Sequence, residues 1–239
     1  MAQLISLNME RSEHLDRIIP FLCARSPDVV CLQELMADDI ARISDATGLR
    51  HVHYVQMAVH PLGQSPFGIG ILSRAPFAEV DDVAIAGIND VGAVLDRSTA
   101  EARLGTCRYA LARARVTIDR MDLRIATTHF PWTPDGEARE FQAEAVDRLI
   151  KILQRDAVVL TGDFNAPRGG PIFAELAREL SDCIPAYVVT SIDPRLHRAG
   201  PLPLMVDGLF ASRHYSINDV QLHCGLSDHQ AISARVEPA

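Results

Sequence analysis

Twice in this sequence an apolar run that reads as a buried strand is followed by a helix and a second buried strand. All four strands end on, or a residue or two past, a polar side chain. The first set is LISLN at residues 4–8, an amphipathic stretch opened by Ser12, and VVCLQE at 29–34. The second is LRIATTH at 123–129, a helical stretch from Glu137 to Gln154, and AVVLTGDFN at 157–165. Runs that are apolar at nearly every position are what strands covered on both faces require. The helical stretches carry apolar residues at helical spacing: Leu15, Ile18, Ile19, Leu22 and Cys23 in one, Phe141, Ala145, Leu149 and Leu153 in the other. Ser12 is placed to cap the first, and Pro20 to kink it or end it early. This plan predicts an α/β fold with stacked sheets, helices outside, and strand ends from both halves meeting in one crevice, where ligand sites commonly lie.

Further strands are predicted at FGIGILSR (67–74), whose two glycines imply a close neighbour, and at RYALARARVTI (108–118), with alternating arginines. Pro171 can open a short helix. LMVDGLFAS, YSINDVQLHC and AISARVEP read as closing strands, and Thr190–Leu204 as a surface loop near the site edge. With 239 residues, 48% of them hydrophobic, the chain can build one sizeable core, and we expect a single domain over residues 1–239. No run of about 18 apolar residues offers a membrane span. The N-terminus lacks the basic flank of a signal peptide, so a cytoplasmic location is expected. Five dispersed cysteines, without CxxC spacing, predict reduced and mostly buried thiols. A net charge of −8 argues against a broad nucleic-acid-binding surface but not against a local basic groove.

Taken singly, each polar strand end has an ordinary structural reading. Asn8 could cap a turn, and Glu34 the helix that follows it. Asp163 and Asn165 could form an Asx turn before Pro167. His129 alone could be a satisfied core histidine. Together, Asn8, Glu34, His129, Asp163, Asn165, Asp207, Asp228 and His229 all fall at the ends of apolar runs. Their carboxylates and amides are hard oxygen donors, suited to Mg²⁺ or Mn²⁺ rather than zinc. Asp163 and Asn165, two apart in an extended chain, would point to one side. Gly162 before them would leave room for the site. GIG at 68–70 lacks the rest of a dinucleotide fingerprint.

LISLNME, VVCLQE, GIGILSR, TTHFPW, VVLTGDFN, VDGLF and LSDHQAI, in this order, resemble the motif series of the endonuclease/exonuclease/phosphatase superfamily, which includes the DNase I-like nucleases. The resemblance spans residues 4 to about 236. It implies a four-layer sandwich, two central mixed β-sheets flanked by helices, and metal-dependent hydrolysis of a phosphate ester. It also implies roles. Glu34 would be the main ligand of Mg²⁺ or Mn²⁺, with Asn8 beside it and Asp228 a further carboxylate. Asp163 would position or deprotonate the attacking water, and Asn165 would donate to the phosphoryl oxygens. His129 would contact the phosphate. His229 would be the second essential histidine, oriented by Asp207.

Substrate choice in such folds sits in loops: here Val59–Pro66, Ile88–Arg108, Phe130–Arg139, Arg168–Pro171 and Thr190–Leu204. Trp132 could stack on a base or wall the pocket, and Arg168, Arg195 and Arg198 could hold an anionic backbone. The nuclease-like reading, with DNA or a DNA-linked phosphodiester as substrate, leads. A small phosphorylated metabolite or lipid head group is the alternative, and a non-catalytic module binding a phosphorylated partner is a third. No obligate protein partner is expected.

Overall fold

The computed structural model describes residues 1–62, 65–154 and 156–239; the Gly63–Gln64 part of the expected Val59–Pro66 loop lies outside them. Strands β1 (Ala2–Asn8), β2 (Val29–Met36), β3 (His51–Val59) and β4 (Pro66–Ser73) begin one sheet. Strands β5 (Phe77–Gly87), β6 (Arg108–Ile118), β7 (Met121–His129), β8 (Val159–Asp163), β9 (Ser181–Asp182) and β10 (Asp207–Ala211) make a second. Strands β11 (Tyr215–His223) and β12 (Ala231–Pro238) return to the first. The helices are α1 (Leu15–Arg25), α2 (Ile40–Thr47), α3 (Ala100–Leu104), α4 (Glu140–Leu153) and α5 (Pro171–Glu179).

The strand orders are β11-β12-β1-β2-β4-β3 and β5-β6-β7-β8-β10-β9. In both, the third and fourth strands are the parallel pair, and helix α1 or α4 connects them; the other neighbours run antiparallel. The repeated strand–helix–strand plan is therefore one topology built twice. One apolar core fills the space between the sheets and continues under α4 and α5, through Leu149, Leu153, Phe173 and Leu176. A second lies between the first sheet and helices α1 and α2, where Leu15, Ile18, Leu22 and Ile43 meet Ile5, Leu7 and Leu32. Each such side chain contributes roughly 1.5–3 kcal/mol on burial. The result is the expected sandwich of helices, sheet, sheet and helices. No helix among the described residues is long and apolar enough to cross a membrane.

Several local expectations need correcting. Ser12 does not cap α1; its hydroxyl donates to Asp39 at 2.6 Å, and the helix starts at Leu15 without a side-chain cap. Pro20 does not end α1, which runs on to Arg25. Pro20 is exposed, so water can serve the carbonyl its ring leaves without a donor. Two cysteines, Cys31 and Cys107, are buried, but Cys23 and Cys224 are exposed. Strands β3 and β5 carried no clear signal. The acidic β5 is held by the alternating arginines of β6: Arg113 pairs with Asp81, Arg108 with Asp82, and Arg115 with Glu79 at 3.1 Å. The Gly68 reading holds, since a Cβ there would lie 2.0 Å from the Val55 carbonyl oxygen.

Candidate active site

The parallel pairs set the site. Register places Asn8 beside Gln33 and His129 beside Asp163, at matching ends of the two sheets. Strands β1 and β2 pack on β7 and β8, which brings the four ends together. Asn8 Nδ2 donates to Asp163 Oδ2 at 3.0 Å, a buried hydrogen bond that ties one sheet to the other. Beneath it Gln33 Nε2 donates to Ser6 at 3.3 Å and to Thr127 at 2.9 Å, and Thr161 bonds Thr127 at 3.3 Å. A polar rung of this kind inside an apolar interface fixes the lateral alignment of the sheets, because sliding them would strand its groups without partners. Gln33, Thr127 and Thr161 escape sequence reading because their periodicity is that of core positions.

Glu34 reaches the cleft through a β-bulge. Between Leu32 and Leu35 β2 carries one residue more than β4, and Glu34 has φ 52°. Bulges re-aim side chains in this way, here at a cost of order 1–3 kcal/mol. Glu34 accepts no hydrogen bond among the described residues, and Arg11 Nε lies 3.6 Å from it.

Asp163 is 1% exposed and central. Its Oδ1 accepts the Asn165 N–H at 2.8 Å, while its Oδ2 lies 3.5 Å from His129 Nε2 and 3.9 Å from His229 Nε2. Asn165 corrects the extended-chain expectation. At φ 47° it leaves the strand, forms the Asx turn with Asp163, and anchors its Nδ2 on the Phe130 carbonyl at 2.9 Å. The turn and the site are the same structure. Gly162 also has another purpose than room for a ligand. At φ 153° a Cβ would sit 2.2 Å from the Thr128 carbonyl oxygen, so glycine permits the close approach of β7 to β8. Phe164 packs inward against Phe130, Phe173 and Phe210.

His229 Nδ1 bonds Asp207 Oδ2 at 2.7 Å, with both groups buried. Burial alone pushes the imidazole pKa down, but the carboxylates of Asp207 and Asp163 outweigh it and hold it well above its ordinary value. Burial pushes the Asp207 carboxyl up, opposed by His229. In the coupled pair the proton sits on the imidazole. Because the folded value exceeds the unfolded one, the pair stabilises fully below about pH 6.5 and loses that contribution as pH rises through the folded value. The thermal-midpoint gap between wild type and His229→Gln should therefore narrow over that alkaline span, as differential scanning calorimetry would record.

The segment expected as a surface loop pins this pair. Ser191 Oγ accepts the N–H groups of Val206 and Asp207, each at 3.1 Å, and Ile192 bridges His229. The fully buried Asp193 accepts the N–H groups of Arg195 at 2.8 Å and Gly225 at 2.5 Å. Polar residues in a Pro- and Gly-containing stretch look solvated in sequence, which hides this role.

Asn8, Glu34, His129, Asp163, Asn165, Asp228 and His229 all line one cavity of about 650 Å³, joined by Trp132 and Arg198. Asp207 lies behind His229. Glu10 and Arg11, not foreseen, line it as well. Arg168 does not: its guanidinium pairs with Asp182 at 2.7 Å and donates to the carbonyls of Ile184 and Pro185. Those bonds hold β9 and turn the guanidinium away from the cavity. Arg195 is exposed and outside the cavity lining. Trp132 corrects the base-stacking expectation on one face, where the Arg103 guanidinium sits 4.5 Å from the ring centroid.

The chain belongs to the endonuclease/exonuclease/phosphatase family, which it matches over residues 5–229. It is thus a member of a family of phosphoric ester hydrolases. No curated protein matches it in sequence. Among solved structures, an endonuclease/exonuclease/phosphatase from Beutenbergia cavernae aligns with a TM-score of 0.78 at 18% identity, covering 100% of this chain and 72% of that one. The human Nocturnin catalytic domain aligns at 0.72 and 14% identity, covering 100% and 93%. A mannosyl-6-phosphatase from Bacteroides thetaiotaomicron aligns at 0.70 and 12% identity, covering 99% and 100%. At these identities the likeness is one of fold.

Proposed function

We propose that this protein hydrolyses a phosphate ester by in-line attack of water, with Mg²⁺ or Mn²⁺ as cofactor. The observation that carries the reading is Asp163: a buried carboxylate in the cavity, oriented by Asn8 and Asn165, with two histidines beside it. Asp163 accepts a proton from the attacking water. His229, held as imidazolium by Asp207, donates to the phosphoryl oxygen on which charge grows. His129 and Asn165 line the same wall and orient the phosphate.

The donors suit a hard cation. Glu34, Asp228 and Asn8 offer oxygen only, and Glu34 lacks a hydrogen-bond donor of its own among the described residues. The Asn8 oxygen accepts the Glu10 N–H at 3.1 Å and keeps a second lone pair. Asp163, Asp207 and His229 also lie close enough to share an ion, but the His229–Asp207 bond already occupies two of their ligand atoms. We assign that trio to proton handling and the cation to Glu34, Asp228 and Asn8. Bound there, a divalent cation would neutralise phosphoryl charge and lower the pKa of water.

Glu34→Gln should weaken Mn²⁺ binding roughly 10- to 100-fold, read by calorimetry or by the Mn²⁺ spin-resonance signal, and turnover should need correspondingly more metal. Unchanged Mn²⁺ affinity would remove Glu34 from the ligand set. Among substrates, the walled cavity favours a small phosphate ester over the interior of a duplex. A strand of DNA needs an open groove and aromatic faces free for its bases, and Arg103 already covers one face of Trp132.

A further inference from the structure

The cavity wall carries three arginines that the hydrolytic reading leaves without work: Arg97, Arg103 and Arg198. Arg97 and Arg103 come from the connection between β5 and β6, and Arg198 from the connection between β9 and β10. Several other arginines of this acidic chain have a carboxylate close by, as Arg108, Arg113, Arg139 and Arg178 do. These three make no ion pair among the described residues. Arg103 is half-buried, and its Nε is shut off from water with no hydrogen-bond partner. Burial first, and then the neighbouring Arg97 cation, pushes the Arg103 pKa down, and Arg198 adds to it. Trp132 supports the guanidinium from beneath. Three arginines without an ion-pair partner among the described residues, gathered on the lining of one substrate cavity, make a local cationic surface suited to an anion.

We propose that Arg97, Arg103 and Arg198 bind a second phosphoryl group of the substrate, so that the enzyme acts on a small molecule carrying two phosphates and hydrolyses the one beside Asp163. This rests on the function proposed above. Forked guanidinium donors match a tetrahedral dianion, giving several charge-assisted bonds at once. In the reaction water forms a new P–O bond at the scissile phosphorus and the P–O bond to the substrate oxygen breaks. The protons of water end on the freed hydroxyl and the released phosphate, and the second phosphate is untouched. A nucleic acid strand fits less well, because a neighbouring base would compete with Arg103 for Trp132.

A ladder of alkane-α,ω-bisphosphonates of increasing length tests this without turnover or a known scaffold. With Mg²⁺ present, calorimetry should show at least one rung binding the wild-type protein roughly 10- to 100-fold tighter than the alkylphosphonate of equal length. The bis-to-mono ratio should fall towards one in Arg103→Gln, and also in the double variant Arg97→Gln, Arg198→Gln, whose exposed positions leave folding unaffected. No advantage on any rung would overturn the proposal, as would an advantage that survives both variants. So would a ratio of one beside strong, arginine-dependent binding of a single-stranded oligonucleotide. Turnover of p-nitrophenyl phosphate and of bis-p-nitrophenyl phosphate is followed in parallel: absence of both with metal present defeats the hydrolytic reading, whereas a flat ladder with either turnover intact defeats the second-phosphate site alone.

Discussion

Asp163→Asn is expected to lower kcat roughly 10²- to 10⁴-fold, the range a positioned general base supplies. The substitution is nearly isosteric but not silent in the fold. Both carboxylate oxygens now accept hydrogen bonds, Oδ1 from Asn165 and Oδ2 from Asn8. An amide has only one oxygen, so one of these donors would face an NH₂ group, at about 1–3 kcal/mol. The thermal midpoint should drop by a few degrees while the protein stays folded, and kcat should fall far more than KM rises. A kcat within a few-fold of wild type would take Asp163 out of the proton transfer.

Phe164→Ala should destabilise the protein by about 3–5 kcal/mol. The ring is fully buried and meets Phe130, Phe173 and Phe210 edge-on at centroid distances of 5.2, 5.6 and 5.6 Å. The contacts join β8, α5 and β10 directly behind the cavity. Since native domains are stable by only about 5–15 kcal/mol, this is a large fraction of the whole. Urea unfolding would show it as a lower midpoint at unchanged slope. Because Phe164 sits between Asp163 and Asn165, the surviving folded protein should also lose activity. Phe164→Leu, which refills much of the space, should recover most of the stability.

These two neighbours illustrate what the amino-acid order reveals. The burial of β8 up to Asp163 was legible, as were the two strand–helix–strand units, the helix stripes and the strand ends that face the cavity. Periodicity and turn chemistry are local, so they survive in a one-dimensional reading. The φ values of Glu34 and Asn165 were not legible. A bulge is a relation between two strands, and the run VVCLQELM gives no sign that its partner is one residue shorter. The same limit applies to Arg168 and Arg103. Both look like loop cations in sequence. Only the three-dimensional neighbours show that Asp182 and two carbonyls engage the first, while the second stands unpaired over Trp132. Ser191 and Asp193 were hidden because buried loop polarity has the composition of solvated loop polarity.

The central claim is that this cavity hydrolyses phosphate esters with a divalent cation and Asp163. Its most direct test is the rate of hydrolysis of p-nitrophenyl phosphate and bis-p-nitrophenyl phosphate, the monoester and the diester, by metal-stripped protein, before and after addition of Mg²⁺ or Mn²⁺, with Asp163→Asn in parallel. We predict negligible rate without metal, recovery on adding it, and no comparable recovery in the variant. A rate indifferent to metal, equal rates in the two proteins, or none in either with both metals present would contradict the account.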